Sequence, residues 1–241
     1  MERLDKVLAN SGYGSRKEVK ALVKAGNVTI DGVKIKDSGV QIDIEKNEIL
    51  VNGEKVLFRN FIYLIMNKPA GVVSATFDNY DKTVVDLLKP EHEAFKPFPV
   101  GRLDKDTVGL LLLTNDGELN HKLISPKYHV NKVYYAEINK EVNEEDVKAF
   151  EEGIILDDDY KCMPAKLRIL KVDGDGSRIE VTIQEGKFHQ VKRMFLSRGK
   201  TVVYLRRISF GPIDIDESLK EGEYRELTEK EFEALTKGND A

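Results

Sequence analysis

An arginine and two aspartates stand directly before the most apolar stretch of the sequence. Arg102, Asp104 and Asp106 are followed by the apolar residues 109–114 and then by the turn residues 115–117, Asn-Asp-Gly. A short apolar run that ends in a turn is typical of a strand buried on both faces. Charged groups beside a core are costly unless they are paired, so this cluster is either an internal ion pair between Arg102 and Asp106 or a reactive site. The spacing alone leaves both interpretations open.

The rest of the composition limits the chemistry that such a site could perform. The carboxyl group of an aspartate in water has a pKa of about 3.9, so at neutral pH it is ionised and can act as a nucleophile or a base. The sequence contains no phosphate loop of the Gly-x-x-x-x-Gly-Lys type and no dinucleotide motif of the Gly-x-Gly-x-x-Gly type. Its 4 histidines lack the spacing of a metal site, and Cys162 is its single cysteine. We therefore expect a reaction that requires neither a metal nor a nucleotide cofactor.

The composition predicts a globular protein with room for two modules. With 241 residues, of which 41% are hydrophobic, the chain can bury one large core and a smaller one. No apolar run is long enough to span a membrane and no export signal follows the charged N terminus, so we expect a cytoplasmic protein without membrane contact. The formal net charge is −4, so binding to nucleic acid would require the basic residues to be segregated onto one surface.

The N-terminal region provides such a basic surface. The apolar spacing predicts a helix within residues 2–10 and a second helix after Ser15, which together with Glu18 forms a capping-box pattern. Up to Lys24, six basic and three acidic residues leave an excess of three positive charges. Four basic residues recur on the outer face of the second helix: Arg16, Lys17, Lys20 and Lys24. They form either an ordinary solvated face or a surface that follows a phosphate backbone.

Two β-hairpins are predicted to follow these helices. Apolar residues alternate on both sides of Asp31-Gly32 and of Asn52-Gly53, which are strong turn signals. The hairpin pattern then ends, and a buried strand begins at Ile62. The remainder of the chain has strand patterns with helices between them, so the predicted fold class is α+β. These patterns predict three segments: a small helix and hairpin module at residues 1–58, a linker at 59–61 and a larger domain at 62–241.

Two features of the larger domain bear on the choice of site residues. Tyr134 and Tyr135 are neighbours in one predicted strand and face opposite sides, so only one of them can face Asp104. Residues 173–177 read Asp-Gly-Asp-Gly-Ser between two predicted strands. No glutamate closes this run at the spacing of a calcium loop, so we predict a plain turn.

A second dense cluster of polar and aromatic side chains lies at residues 185–195. Phe188 and Phe195 share one helical face, which predicts that both point into the core. In a later predicted strand, Arg206 and Arg207 are expected to extend the positive surface. Three further side chains of the cluster point elsewhere, and a surface role is the plain interpretation for them: His189, Lys192 and Arg193.

Several of these motifs together resemble one known family. Residues 101–117, Gly-Arg-Leu-Asp followed by the apolar run and Thr-Asn-Asp-Gly, resemble the signature of the RsuA-type pseudouridine synthases. Residues 1–57 are similar to the S4-type RNA-binding module found at the start of this family. The resemblance implies a larger domain built on a mixed, mostly antiparallel sheet with flanking helices. Three further motifs match: Asn-Lys-Pro-Ala-Gly at 67–71, Lys-Val-Tyr at 132–134 and Gly-Lys-Phe-His-Gln-Val-Lys-Arg-Met at 186–194.

The resemblance implies a reaction and roles for individual residues. The reaction is the isomerisation of uridine to pseudouridine in 16S ribosomal RNA, after the base has left its helix. Asp104 would be the catalytic aspartate, whose carboxylate Lys192 holds, and Tyr134 would lie against the uracil ring. Arg102 would take the place of the nucleotide that leaves, and whether Asp104 attacks the sugar or removes a sugar proton stays open. Further RNA-contacting residues implied in this way are Lys68, at the rim that faces the RNA, and Arg16, Lys17, Lys20, Lys24, His189 and Arg193.

The resemblance also implies partners and leaves alternatives. The expected partner is ribosomal RNA or a ribosome-assembly particle, bound by a monomer that needs no cofactor. The short C terminus and the details of the motifs favour small-subunit RNA, and a target in 23S ribosomal RNA is the alternative within the family. A catalytically silent RNA-binding assembly factor is a second alternative. An RNA methyltransferase would need a glycine-rich nucleoside loop, which the sequence lacks.

Overall fold

The computed structural model describes residues 1–56, 58, 60–174 and 176–237. Backbone contacts divide the chain into two units. The first comprises Met1–Ile62 together with Leu87–Pro97, and the second comprises the rest of the described chain. The predicted linker begins at Arg59, which lies outside the described residues, and the predicted domain limits stay a prediction. No helix in the described ranges has the length and apolar character that a membrane span requires.

The first unit combines three helices with short strands. Its helices are α1 (Leu4–Asn10), α2 (Arg16–Lys24) and α3 (Pro90–Glu93), and its strands are β1 (Glu2–Arg3), β2 (Val28–Ile30), β3 (Val33–Lys34), β4 (Gln41–Ile42), β5 (Ile49–Val51) and β6 (Glu54–Lys55). The strand order β3-β2-β5-β6 contains both predicted hairpins, β2–β3 and β5–β6, whereas β1 pairs with β4. Apolar residues of α1 and α2 form one core with the inward residues of these strands.

Helix α2 separates an apolar face from a basic face, as predicted. The Ser15 hydroxyl accepts a hydrogen bond from the backbone nitrogen of Glu18 at 3.4 Å, and the Glu18 carboxylate accepts one from the backbone nitrogen of Ser15 at 2.7 Å. Val19 and Val23 are fully buried. The basic residues of the outer face are all exposed and form no ion pair with any described residue: Arg16, Lys17, Lys20 and Lys24.

The second unit is built on one mixed sheet. Its strands are β7 (Tyr63–Lys68), β8 (Phe98–Pro99), β9 (Val108–Thr114), β10 (Lys132–Ile138), β11 (Lys166–Asp173), β12 (Gly176–Ile183), β13 (Val202–Phe210), β14 (Ile213–Asp214) and β15 (Tyr224–Glu226). The order is β11-β12-β10-β13-β9-β7-β15, with β8 on β9 and β14 on β13. Every pair among these described strands is antiparallel except β9–β13, which is parallel. The predicted α+β class and the mostly antiparallel sheet are confirmed.

Helices flank this sheet. They are α4 (Gly117–Ile124), α5 (Glu144–Glu152), α6 (Gln190–Ser197) and α7 (Glu229–Lys237). Leu119 and Leu123 of α4 and Leu235 of α7 share a core with inward residues of β7 and β9. Helices α5 and α6 meet through the rings of Phe150 and Phe195, whose centroids are 4.9 Å apart.

A buried ion-pair cluster ties α5 to the segment that follows α6. Asp146, fully buried in the first turn of α5, accepts hydrogen bonds from Arg198 Nε at 3.0 Å and from Lys200 Nζ at 2.9 Å. The same carboxylate accepts a hydrogen bond from the backbone nitrogen of Asn143 at 3.1 Å. A buried carboxylate is costly without such partners, so these contacts hold the C-terminal end of α6 in place.

One hairpin turn of the sheet is only partly described. The turn predicted at residues 173–177 contains Asp175, which lies outside the described residues. Asp173 and Gly176 on either side of it pair with each other, and the strands that they belong to, β11 and β12, are antiparallel neighbours. The two strands predicted on either side of the turn are therefore present.

The parallel pair brings β9 and β13 close together at Gly109. This residue lies opposite Arg207 and has a φ of +101°. A Cβ atom at residue 109 would lie 2.3 Å from the carbonyl oxygen of Arg207. Glycine alone combines this backbone conformation with so close an approach. Because Gly109 lies directly after the loop that carries Asp104, the position of that loop depends on this contact.

We predict that Gly109→Ala destabilises the second unit by about 3 kcal/mol or more, because the strain of a positive φ adds to a backbone clash. Gly117→Ala is the matched control, since a Cβ at residue 117 meets no atom within 4 Å. That change should leave the free energy of unfolding unchanged or raise it by less than about 1 kcal/mol. Urea unfolding followed by circular dichroism measures both, and equal stabilities of the two variants would contradict the account.

Candidate active site

The loop at residues 101–107 leads into β9 and carries the charged cluster. The Lys192 ammonium lies between two carboxylates, 3.0 Å from Oδ2 of Asp104 and 2.6 Å from Oδ1 of Asp106. The side chains of Asp104 and Lys192 are 25% and 23% exposed, whereas that of Asp106 is 74% exposed. Lys192 thus lies beside Asp104, and Asp106 pairs with Lys192 rather than with Arg102.

The electrostatics of this cluster keep Lys192 charged. Partial burial lowers the pKa of Lys192, but its hydrogen bonds to Asp106 and Asp104 outweigh that effect, and the pKa lies above its ordinary value. Lys192 can therefore orient a carboxylate as a charged hydrogen-bond donor, but it does not accept a proton at neutral pH. A carboxylate that is held in this way and still reaches solvent is suited to act as a nucleophile or a base.

His189 approaches the second oxygen of the same carboxylate. Its Nε2 lies 3.6 Å from Oδ1 of Asp104. His189 directly precedes α6 and has a left-handed backbone conformation, with a φ of +48°. The buried carboxylate of Glu185 holds this turn by accepting a hydrogen bond from Gln190 Nε2 at 2.8 Å. The turn therefore directs both His189 and Lys192 toward Asp104.

A second lysine holds the loop from inside the domain. Lys68 is the last residue of β7 and is fully buried. Its Nζ donates hydrogen bonds to the backbone carbonyls of Thr107 at 2.9 Å, Pro69 at 3.0 Å and Asp104 at 3.1 Å, and a longer contact reaches the carbonyl of residue 105 at 3.4 Å. The three shorter bonds match the three protons of an ammonium group. Burial lowers the pKa of Lys68 to about 8, although the charges of Asp106 and Asp104 oppose the shift. At neutral pH the group keeps its proton and fixes the backbone of Asp104.

Comparison with known proteins places this arrangement in a family. A family model described as RNA pseudouridylate synthase matches residues 62–197, and a model of the S4 domain matches residues 2–46. The chain belongs to the RNA pseudouridylate synthase family. It is therefore an isomerase, and the resemblance found at residues 101–117 and in the N-terminal module is confirmed.

Relatives of the synthase match nearly its whole length. The uncharacterized RNA pseudouridine synthase YtzG of Bacillus subtilis is 55% identical and covers 97% of this chain and 98% of its own. Ribosomal large subunit pseudouridine synthase B of Bacillus subtilis is 40% identical, with coverages of 98% and 96%. Ribosomal small subunit pseudouridine synthase A of Haemophilus influenzae is 39% identical, with coverages of 98% and 100%. A crystal structure of a pseudouridylate synthase matches with a TM-score of 0.68 and 38% identity, over 98% of this chain and 100% of that one.

The two tyrosines of β10 face opposite sides of the sheet in the synthase, as predicted. Tyr134 lies opposite Arg207 of β13, which in turn lies opposite Gly109 of β9. The side chain of Tyr134 is buried, whereas Tyr135 is partly exposed and its hydroxyl donates a hydrogen bond to Glu137 at 2.9 Å. Tyr134 is therefore the tyrosine on the inward face of the sheet, in a row with Arg207 of β13 and Gly109 of β9.

Two arginines that the sequence predicts to contact RNA differ in their availability. Arg102 is exposed in the same loop as the catalytic candidate and forms no ion pair with any described residue. Arg193 is bound to Asp157 and Asp158, 2.8 Å from the Asp158 carboxylate, and its side chain is only 16% exposed. Arg102 is thus free to contact a substrate, while Arg193 is already neutralised by its neighbours.

Two predicted positions of positive charge are wrong. Lys68 was expected at the RNA-facing rim, but it is fully buried because the carbonyls around Asp104 surround its ammonium group. Arg207 was expected on the positive surface, but strand alternation turns it inward, where its Nε donates to the Leu110 carbonyl at 2.8 Å. Its guanidinium also lies 5.0 Å above the ring of Phe210.

Helical periodicity failed for Phe188, which was expected in the core. The ring is 70% exposed, because α6 begins only at Gln190 and the left-handed His189 interrupts the helix before it. Glu185, which fixes this turn, was not singled out from the sequence. The only signal for it was a charged residue between a strand and a helix, which is common on surfaces.

We predict that Lys68→Met destabilises the synthase by about 3 kcal/mol, because several buried carbonyls lose their donor at once. Lys105→Met is the matched control in the same loop, since Lys105 is exposed and forms a surface ion pair with Asp81 at 2.6 Å. Its loss should cost less than about 1 kcal/mol. Denaturant unfolding of both variants measures the difference, and a Lys68 variant as stable as its control would show that the carbonyl cage is dispensable.

Proposed function

We propose that the synthase converts a uridine of ribosomal RNA to pseudouridine, that its target lies in 16S ribosomal RNA, and that Asp104 is the catalytic aspartate. The observation that carries the proposal is a carboxylate that reaches solvent while an ammonium group 3.0 Å away steadies it. The relative named ribosomal small subunit pseudouridine synthase A, 39% identical over nearly the whole chain, supports the choice of target.

The chemistry requires little more than this carboxylate. The bond between N1 of the base and C1′ of the sugar breaks, a bond from C5 to C1′ forms, and one proton leaves C5 while another returns to N1. Asp104 either attacks C1′ or removes a sugar proton, and both steps need the ionised form. Lys192 orients that form in either case. No oxidant, reductant or energy source enters this balance.

The substrate base must also leave its stack, at a cost on the order of a few kcal/mol. Tyr134, on the inward face of the sheet, supplies a ring for the uracil. Arg102, exposed beside Asp104, fills the space that the base leaves. These two contacts offset part of the free energy that is needed to take the base out of its stack, and they hold the sugar at the carboxylate.

A target in 23S ribosomal RNA is the second candidate. The relative named ribosomal large subunit pseudouridine synthase B is 40% identical over 98% of this chain, so identity alone does not separate the two targets. Mapping pseudouridine in ribosomal RNA from cells with and without the gene separates them. Loss of one site in 16S RNA supports the first proposal, loss in 23S RNA supports the second, and an unchanged map contradicts both.

We predict that Asp104→Asn abolishes pseudouridine formation, to less than about one thousandth of the wild-type rate, and leaves RNA affinity within about threefold. The matched control is Asp106→Asn. This change removes the other carboxylate that is bound to Lys192, and the Asp106 side chain is largely exposed. The control should lower the rate by no more than about tenfold. The rate is measured by the release of tritium from RNA that is labelled at C5 of its uracils, and the affinity is measured by filter binding. Near-wild-type release by the Asp104 variant would rule out a catalytic role for Asp104.

We also propose that residues 1–58 form the RNA-binding domain, joined by a linker at 59–61 to a catalytic domain at 62–241. Support comes from the S4 match at residues 2–46 and from the unpaired basic face of α2. Exposed cations without carboxylate partners bind phosphate through counterion release. The partner is ribosomal RNA or an assembly particle, which a monomer of the synthase binds without a cofactor.

We predict that the double change Lys20→Gln and Lys24→Gln weakens RNA binding and reduces the slope of log affinity against log salt by about one for each lysine. The control is Lys46→Gln in the same unit, because Lys46 is exposed but lies 3.5 Å from the Asp43 carboxylate. Titrations of an RNA fragment at several salt concentrations give both slopes. If the double variant and the control have the wild-type slope, the α2 face does not bind phosphate.

A further inference from the structure

An exposed aromatic pair stands next to the candidate catalytic carboxylate. The ring of Phe188 is 70% exposed and stacks on His189, with centroids 3.8 Å apart and planes inclined by 17°. The Nε2 of His189 lies 3.6 Å from the Asp104 carboxylate. The Phe188 ring is thus only one side chain away from the reacting group, although nothing in the mechanism uses it.

The backbone holds this ring in solvent. His189 has a positive φ, and the carbonyl of Phe188 accepts a contact from Arg193 Nη1 at 3.4 Å. The amide of Lys187 donates a hydrogen bond to Oε1 of Gln190 at 2.9 Å. These contacts fix the turn without any contribution from the Phe188 side chain. The exposure of this large apolar ring is therefore imposed by the surrounding fold, and it leaves the ring available for contact with a partner.

Two cations near the ring are already paired with carboxylates. Lys192 is bound to the two aspartates of the catalytic loop, and Arg193 is bound to Asp157 and Asp158. The positive charges of both side chains are thus balanced by neighbouring aspartates. Beside the exposed Lys187, this surface offers RNA the open face of an aromatic ring, which unstacked bases bind.

We propose that Phe188, supported by His189, stacks on the base next to the target uridine and holds the strand while the uridine is out of its helix. This inference rests on the proposed function. Extruding the uridine removes its stacking on the neighbouring bases, and an aromatic face beside the site restores that contact for one of them. Phe188 is a positioning residue, since it acts on the neighbouring nucleotide and not on the reacting atoms.

The test uses RNA fragments that contain the mapped uridine, with 2-aminopurine at the position before it or after it. Base stacking on a side chain contributes enough to predict that Phe188→Leu weakens binding about 5- to 150-fold. It should also abolish the change in 2-aminopurine fluorescence in one of the two fragments. Phe188→Tyr keeps the ring and should restore both signals. Binding is measured in the Asp104→Asn background, so turnover does not interfere.

Phe77→Leu is the matched control, since Phe77 is 75% exposed and loses a ring in the same way. It should bind RNA with wild-type affinity and fluorescence. The inference is overturned if Phe188→Leu binds like the wild type, if Phe77→Leu shows the same loss, or if Phe188→Leu lowers only the rate of isomerisation. Failure of the proposed function would give a different result. In that case enzymes that retain Asp104 would form no pseudouridine in the fragments, both with Phe188 and with a substitution at that position.

Discussion

The candidate site depends on a buried ammonium group that carbonyl oxygens surround. A charged ammonium group is costly inside a domain unless it is hydrogen-bonded, and the Lys68 ammonium is bonded to carbonyls of the loop that carries Asp104. The dependence runs in both directions. Those carbonyls would lack donors without the lysine, and the charges of Asp104 and Asp106 favour the protonated form of its amine. The buried cation and the acidic loop therefore stabilise each other, and the loop cannot move without exposing one of them to an unfavourable environment.

Two lysines from other elements of the second unit are bound to the loop that carries Asp104. Lys192 holds the side chain of Asp104 while Lys68 holds its backbone, so both cations are engaged by the loop. The basic face of α2 is different, because its cations have no partner among the described residues. An enzyme with a net charge of −4 can bind RNA when its unpaired positive charge is gathered on one surface.

Sequence reasoning located the acidic loop, the strand alternation of β10 and the capped helix α2, because each depends on residues that are close in the chain. It failed where the environment of a side chain is set by distant residues. The ammonium of Lys68 binds the carbonyl of Thr107, which is 39 positions away, and Arg207 binds that of Leu110, 97 positions away. A charged residue at the end of a strand looks the same in sequence whether it faces water or carbonyls.

Several departures from local rules lie near Asp104. Gly109 needs a positive φ and a missing Cβ, His189 has a left-handed backbone, Lys68 is buried, and Phe188 is exposed. Each of these is connected to the loop or the helix that holds Asp104. In the first unit the helices and hairpins follow their patterns closely. Strain and unusual burial persist in a fold only where the surroundings compensate for them, and sites of function are where selection maintains such compensation. The departures near Asp104 therefore agree with the site that the motif predicts.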